Sequence, residues 1–376
     1  MIDDVVSLTA KLIKLKTISR NYREICKCAN LLDTYARYND LYYEYHDNGN
    51  NPVLIISNGE KKNFDIMSLG HIDVVPGSDK LFTPVITDDI LKGRGSFDMK
   101  TGVAVGLELL RWVKKENKNI NMAVVLTSDE EIQEATSMDF VQSLGVKANI
   151  ILDTDALSGI STIVEKNKDV VFVDLTSEGN TASGMLPWEG KSAIDQLLFT
   201  IQKIRKQFPY FDADQKPNTQ PFGRHYWVNS LNVGKINGGY QINRVSDVAT
   251  AQLDFRLVDG MDAKQLSEVL DSCLVGKTRY NIRYETGFVN EDRNNPVIEE
   301  YKKIIENTIA KKVDFVRDGR MSNSGMLKDK NGASVILHSY TGGNQHTEDE
   351  WVDLKSVKQL CHIQKTFVNR YIDRSK

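Results

Sequence analysis

Apolar residues recur at helical spacing over 5–15 and again through Ile25, Leu31, Leu32 and Tyr35, which predicts two leading helices. Short apolar runs at 53–56 and 64–69 predict strands, followed by a Gly/Asp-rich loop that runs to Asp98 and a helical pattern over 99–114. A strand at 122–127, a helix near 138–144 and a strand at 149–152 come next. Strands alternating with helices predict an α/β layer built on a mostly parallel sheet. After about Lys168 the rhythm changes: a strand at 170–176, a long helix at 193–207, strands at 229–236 and 248–257, a helix at 263–274 and a strand at 280–284. Two strands without a helix between them imply antiparallel pairing, so 168–287 reads as a smaller α+β domain inserted into a discontinuous one, 1–167 plus 288–376. From Pro296 the alternation resumes with a helix to 311, a strand at 333–338 and a closing helix over 354–371. No internal repeat or low-complexity segment interrupts this pattern.

Composition narrows the class. The 376 residues carry 48 Lys+Arg against 51 Asp+Glu, a net charge of −3, and 40% are apolar. Disorder and collagen-like repeats are excluded, and a near-neutral balance lacks the electrostatic footprint of a general nucleic-acid or membrane-surface binder. Small molecules are the expected partners. No apolar run reaches the roughly 18 residues of a membrane span, and the first segment places Asp3 and Asp4 where a secretory signal would be basic, so a cytoplasmic location is expected. Cys26, Cys28, Cys273 and Cys361 form no Cys-x-x-Cys pair, which suggests idle thiols and neither a disulfide framework nor a thiolate zinc site.

The polar residues that matter fall where predicted strands end, the edge at which open α/β sheets bind ligands. Gly70-His71-Ile72-Asp73, Ser128-Asp129-Glu130-Glu131 and Asp153-Thr154-Asp155 each follow a strand, and the loop after His338 leads to His346. Asp98 stands at the mouth of the helix predicted from Met99. Singly, each has an ordinary explanation: a histidine after a strand is commonly a surface or hydrogen-bonded side chain, and acids there are turn and cap residues. Together, two histidines and several carboxylates at one sheet edge make a nitrogen and oxygen donor set suited to zinc, cobalt or manganese. Asp73 is spaced to hold the His71 ring and fix its tautomer. The adjacent Glu130 and Glu131 offer one carboxylate to a metal and one to a water, and Asp98 could bridge two ions about 3.5 to 4 Å apart. A phosphate loop is the rival reading of the segment from Gly93 to Thr101, but it requires Gly before the Lys, and Met99 precedes Lys100.

The segments Gly70-His71-Ile72-Asp73-Val74-Val75-Pro76, Gly93-Arg94-Gly95-Ser96-Phe97-Asp98-Met99-Lys100, Thr127-Ser128-Asp129-Glu130-Glu131 and His346-Thr347-Glu348-Asp349-Glu350 together resemble the co-catalytic metallopeptidases and deacylases. That family includes carboxypeptidase G, aminoacylase, acetylornithine deacetylase, succinyl-diaminopimelate desuccinylase and several dipeptidases. The likeness spans almost the whole chain, in the family's order and with similar spacing. It implies two zinc ions per subunit, with cobalt or manganese as substitutes. His71, Asp98 and an acidic residue near 155 would hold one ion, and Asp98, Glu131 and His346 the other. Asp155, which aligns better with the deacylases, is the preferred ligand, and Asp153, which fits the spacing of some peptidases, is the alternative. The catalytic pair would be Glu130, as general base toward the attacking water, and Asp73.

The same resemblance implies that the inserted domain is a lid and dimer interface, so a homodimer is expected. Asn243 and Arg256 match its substrate-contacting segments; Arg256 could clamp a substrate carboxylate or form a salt bridge inside the lid. One departure stands out: the lid stretch from Gly179 to Trp188 lacks the family's histidine, an oxyanion donor, and His225 is the available substitute. The Gly/Ser stretch around Arg320 to Gly325 weakly resembles a substrate loop. The reading that results is a di-metal hydrolase cleaving the amide of an N-acyl amino acid or small peptide. Its alternatives are a dipeptidase or aminopeptidase of the same family, or a non-catalytic binding homologue.

Overall fold

The fold was examined in a computed structural model, which describes residues 1–132, 135–156, 158–210, 226–258, 260–320 and 322–374, with side chains left out at 329–331. The elements in chain order are α1 (Ile2–Ile13), α2 (Tyr22–Tyr38), β1 (Tyr42–His46), β2 (Val53–Ser57), β3 (Asn63–His71), β4 (Val85–Thr87), β5 (Ile90–Lys92), α3 (Lys100–Lys115), β6 (Met122–Thr127), α4 (Ser137–Ser143), β7 (Lys147–Asp153) and β8 (Thr162–Asn167). They continue with β9 (Asp169–Glu178), α5 (Ala193–Gln207), β10 (Ser230–Gly238), β11 (Val248–Leu257), α6 (Ala263–Cys273), β12 (Lys277–Glu285), α7 (Pro296–Ile309), β13 (Asp314–Asp318), α8 (Ser324–Asn331), β14 (Ser334–Leu337), β15 (Gly342–Gly343), β16 (Trp351–Asp353) and α9 (Leu354–Arg374).

Contacts divide the chain into two units, one of Met1–Lys166, Val289–Val316 and Ser322–Lys376, the other of Asn167–Phe288 and Arg317–Met321. The first is built on an eight-stranded sheet in the order β1-β2-β6-β3-β7-β14-β8-β13. Its central strands β6, β3, β7 and β14 run parallel, while β1, β2 and β8 join antiparallel. The expected α/β class is therefore present, with antiparallel strands flanking a parallel centre. The central strands are apolar on both faces because helices cover both. Met122, Val124 and Leu126 of β6 pack into one core with α1, α2, α3, α7 and α9. The intervening Ala123 and Val125 pack into a second core with residues of α4 and α8. This period-two alternation is what makes the run 122–127 a strand rather than a helix.

The second unit is a four-stranded antiparallel sheet, β10-β11-β9-β12. Alternate residues of β9 and β11 are buried, and Val171, Val173, Leu253 and Phe255 pack with Leu197, Ile201 and Ile204 of α5 and Leu266 and Leu270 of α6. Both helices start on side-chain caps: Ser192 accepts the N–H of Asp195, and Asp262 with Gln265 forms a capping box.

The sequence reading missed β1 and α8 and needs correction around Asp98. The loop expected up to Asp98 contains the β4–β5 hairpin, which joins β16 and β15 in a small sheet. Helix α3 begins at Lys100, one residue later than expected, because Met99 is its N-cap.

Candidate metal centre

The parallel strands place the candidate residues at their carboxyl ends. His71 closes β3, Thr127 of β6 is its register partner, and Asp153 of β7 pairs with Leu69. Glu130 and Glu131 follow β6, and Asp155 follows β7. Asp98 reaches the same edge from the loop before α3. That loop is pinned: the Tyr340 hydroxyl donates to the Phe97 carbonyl at 2.9 Å and accepts the Gly102 N–H at 3.0 Å, so it closes the first turn of the helix from outside. His346 arrives on the segment between β15 and β16, with its backbone in the left-handed region at φ 63°.

Donor atoms gather in three overlapping groups, each within 4.8 Å: His71, Asp98 and Asp155; Asp98, Glu131 and His346; and His71, Glu130 and Glu131. Asp98 belongs to the first two. Its Oδ1 lies 3.2 Å from His71 Nε2, and its Oδ2 lies 3.2 Å from His346 Nε2, which is also 3.1 Å from Glu131 Oε2. Glu130 Oε2 lies 4.0 Å from His71 Nε2. His71 is buried and His346 half-exposed.

Asp73, also buried, organises rather than joins these groups. Its main-chain carbonyl accepts from His71 Nδ1 at 3.0 Å, with Oδ1 at 3.4 Å. The carboxylate accepts the backbone N–H groups of Glu130 at 3.2 Å and Glu131 at 3.1 Å, and the Ser19 hydroxyl at 2.7 Å. One aspartate thus fixes both the imidazole and the glutamate pair. Asp153 is in none of the groups: it accepts the Asp155 N–H at 2.8 Å and the Ser322 hydroxyl at 2.8 Å.

The donor set fits divalent cations on three counts. With Nδ1–H of His71 donated to a carbonyl, its Nε2 meets a carboxylate that can only accept, so a proton or a cation must lie between them. Burial pushes the carboxyl groups of Glu130, up to about 8, and of Glu131 and Asp155 upward, and neighbouring carboxylates add to this. Burial also opposes ionised Asp98, but its hydrogen bonds to His346 and His71 outweigh this and hold it below the usual carboxylate range. The Asp98 and Glu131 hydrogen bonds raise His346 to about 10. Crowded acids held together by positive charge on imidazoles are what dications would stabilise directly. Third, Glu131 Oε1 is buried without a hydrogen-bond partner, a costly state for an oxygen that coordinates nothing.

The other candidates lie in the second unit or outside the described residues. Arg256 pairs with Asp254, with Nε at 2.8 Å from Oδ1 and Nη2 at 3.0 Å from Oδ2, the internal salt bridge that was one of its two readings. Asn243 is exposed, and its carbonyl accepts the Gly184 N–H at 2.7 Å. His225 lies outside the described residues. Sequence reasoning assigned no role to Ser19 or Tyr340, and read Ser322 only as part of a stretch resembling a substrate loop, whereas it donates to Asp153. Nothing local marks them, since each acts by touching a segment distant in the chain.

A histidine-carboxylate cluster at the carboxyl edge of a mostly parallel α/β sheet is the donor set of a metal-dependent enzyme. Residues 67–370 match the model of peptidase family M20/M25/M40, and the chain belongs to that family. It is 23% identical over 283 residues to the acetylornithine deacetylase of Buchnera aphidicola subsp. Acyrthosiphon pisum, covering 72% of each chain. It is 22% identical over 415 residues to the probable succinyl-diaminopimelate desuccinylase of Staphylococcus epidermidis, covering 99% of this chain and 98% of the relative. Among solved structures, an M20 family metallo-carboxypeptidase from Sulfolobus solfataricus superposes with a TM-score of 0.73 at 17% identity, over 98% of this chain and 99% of that one. An aminopeptidase PepT from Bacillus cereus superposes with a TM-score of 0.71 at 17% identity, over 99% of both chains. These two establish a shared fold.

Proposed function

We propose that the protein is a two-zinc amidohydrolase that releases an amino acid from its N-acyl form or from a small peptide. The observation that carries this reading is Asp98, whose two oxygens each face a different imidazole. His71, Asp98 and Asp155 would hold one ion, and Asp98, Glu131 and His346 the other. Bound there, a pair of divalent cations supplies Lewis acidity toward an amide carbonyl and acidifies water. Glu130, whose Oε2 lies 4.0 Å from His71 Nε2 and which belongs to neither group that shares Asp98, takes the proton from the attacking water and delivers it to the departing amine. Asp73 keeps His71 in the tautomer that leaves Nε2 free to coordinate.

Zinc is favoured over its neighbours by the mixed imidazole and carboxylate set, and cobalt and manganese suit the same donors. The acyl amino acid reading draws on the two curated deacylase relatives, whereas names such as aminopeptidase and tripeptidase among the structural neighbours favour a peptidase. A panel of N-acetyl and N-succinyl amino acids and dipeptides, assayed with zinc-loaded protein of measured metal content, decides between them. Hydrolysis only of substrates with a free α-amino group would favour the peptidase, and no hydrolysis at all with both ions bound would favour a binding homologue.

The segment 168–287 would act as lid and as the interface of a homodimer, with Asn243 and Arg256 contacting substrate. Exposed apolar side chains on the insert, Met185, Trp188, Phe199, Tyr240 and Ile242, support an interface there. Arg256 would have to exchange Asp254 for a substrate carboxylate. The four free cysteines suit a reducing, cytoplasmic compartment. Among the described residues no helix is long and apolar enough to cross a membrane.

A further inference from the structure

Glu350 is buried, with 1% of its surface exposed, and its carboxylate is saturated by donors from a single loop. Oε2 accepts from Arg94 Nη1 at 2.6 Å and the Gly95 N–H at 3.0 Å; Oε1 accepts the N–H groups of Phe97 at 2.9 Å and Asp98 at 3.1 Å. The Glu350 carbonyl accepts the Gly93 N–H at 3.3 Å, so the whole turn that delivers Asp98 is wrapped around one side chain. Arg94, 2% exposed, reaches on to the Pro76 carbonyl at 3.2 Å, which ties the same turn to the chain following His71. The turn also requires glycine at 95, where φ is 82° and a Cβ would lie 2.8 Å from the Lys100 side chain.

Glu350 also belongs to the segment that carries His346. That segment is held at a second acid as well, where Glu348 accepts the Ser78 N–H at 3.1 Å and the Ser78 hydroxyl. His71, in contrast, ends a strand locked into the central sheet, and Asp155 follows another. The group of Asp98, Glu131 and His346 therefore draws two of its three members from loops outside the central sheet, and Glu350 is the side chain that joins those loops.

We propose that Glu350, with Arg94 as its counter-ion, is a positioning residue that sets the spacing of Asp98 and His346, and so determines the affinity of the ion held by Asp98, Glu131 and His346. This rests on the two-ion reading of the site. Gln at this position keeps the shape but offers one acceptor oxygen in place of two and leaves the buried Arg94 without a counter-charge. Supporting contacts of this kind change metal affinity by about 10 to 100-fold in other metal sites.

The test is calorimetric and visible-absorption titration of metal-free protein with Co2+, repeated with Zn2+. Wild type is expected to bind two ions. Glu350→Gln is expected to bind the ion of Asp98, Glu131 and His346 at least tenfold more weakly, with an altered cobalt spectrum for it, and the other ion, which shares Asp98, with a smaller loss. Glu165→Gln, which removes a buried carboxylate paired with Arg293 outside these groups, should leave both affinities unchanged. Unchanged affinities in Glu350→Gln overturn the proposal, whatever its melting temperature does. Should that variant fail to fold, Glu350→Asp and Arg94→Lys are titrated in its place, with the same two outcomes. A wild type that binds a single ion overturns the two-ion reading. The effect of Glu350→Gln on that one ion would still decide whether the residue positions the site.

Discussion

Asp153 and Asp155 stand two residues apart and do different work: Asp153 accepts the main-chain N–H of Asp155 at 2.8 Å, which turns the Asp155 carboxylate toward His71 and Asp98. Spacing alone left both as candidate ligands. The Ser322 hydroxyl on Asp153 Oδ2 at 2.8 Å, shared with Ser324, occupies the side chain that does not reach the group. Asp155→Asn is expected to reduce bound zinc from two ions to about one per chain. Asp153→Asn should keep both ions and lower the melting temperature. Metal analysis after dialysis checks this, and the reverse pattern would make Asp153 the ligand.

Glu130→Gln separates binding from chemistry. Glu130 is not part of the two groups that share Asp98, so the variant should retain its metal content. Removing a general base should lower kcat by about 100 to 10,000-fold with little change in KM. Turnover within a factor of a few of wild type would take the role of base away from this residue.

Ser19 tests how far the site depends on its surroundings. Its hydroxyl donates to Asp73, which is buried and also orders His71, Glu130 and Glu131. Ser19→Ala leaves a buried carboxylate oxygen one donor short, and a destabilisation of about 1 to 3 kcal/mol is expected. Urea unfolding in the presence of EDTA measures that cost without metal linkage. An unchanged midpoint would mean that the hydroxyl contributes nothing to holding Asp73.

The elements legible in the sequence were those whose pattern is local. Strands β2 and β6 are apolar up to their last residues, Ser57 and Thr127, and buried at every position, and α5 carries both its period and its cap. Strand β1, Tyr-Tyr-Glu-Tyr-His, was not legible because it is an edge strand that is only half buried, and β4 is three exposed residues held by its partner β5. Helix α8 lacks a clear apolar stripe and was missed for that reason. The candidate site divides the same way. His71, Glu130, Glu131 and Asp155 announce themselves by following strands, whereas the contributions of Arg94, Glu350 and Tyr340 depend on contacts between segments far apart in the chain.

His338 makes the strand end that leads toward His346 sensitive to acid. It is buried, accepts the Tyr301 hydroxyl at Nδ1 over 3.1 Å, and donates from Nε2 to the Ile160 carbonyl at 2.9 Å. That pattern requires the neutral ring, since a second proton at Nδ1 would face a hydroxyl already donating there. Burial accordingly lowers its pKa from 6.5 to about 4, against a small opposing pull from the Ile160 carbonyl. Between those two values the unfolded chain binds a proton that the folded chain does not, so stability rises with pH across this window. It is fully present above about 6.5 and is lost as pH falls toward 4, by on the order of 3 kcal/mol in total. Other groups titrate over the same range, and comparison with His338→Gln, which cannot take up the proton, removes their contribution. Urea unfolding at intervals from pH 7 to pH 4.5 should show wild type losing stability more steeply than the variant. Parallel curves would mean that His338 carries its proton in the folded protein and that the Tyr301 hydroxyl is turned the other way.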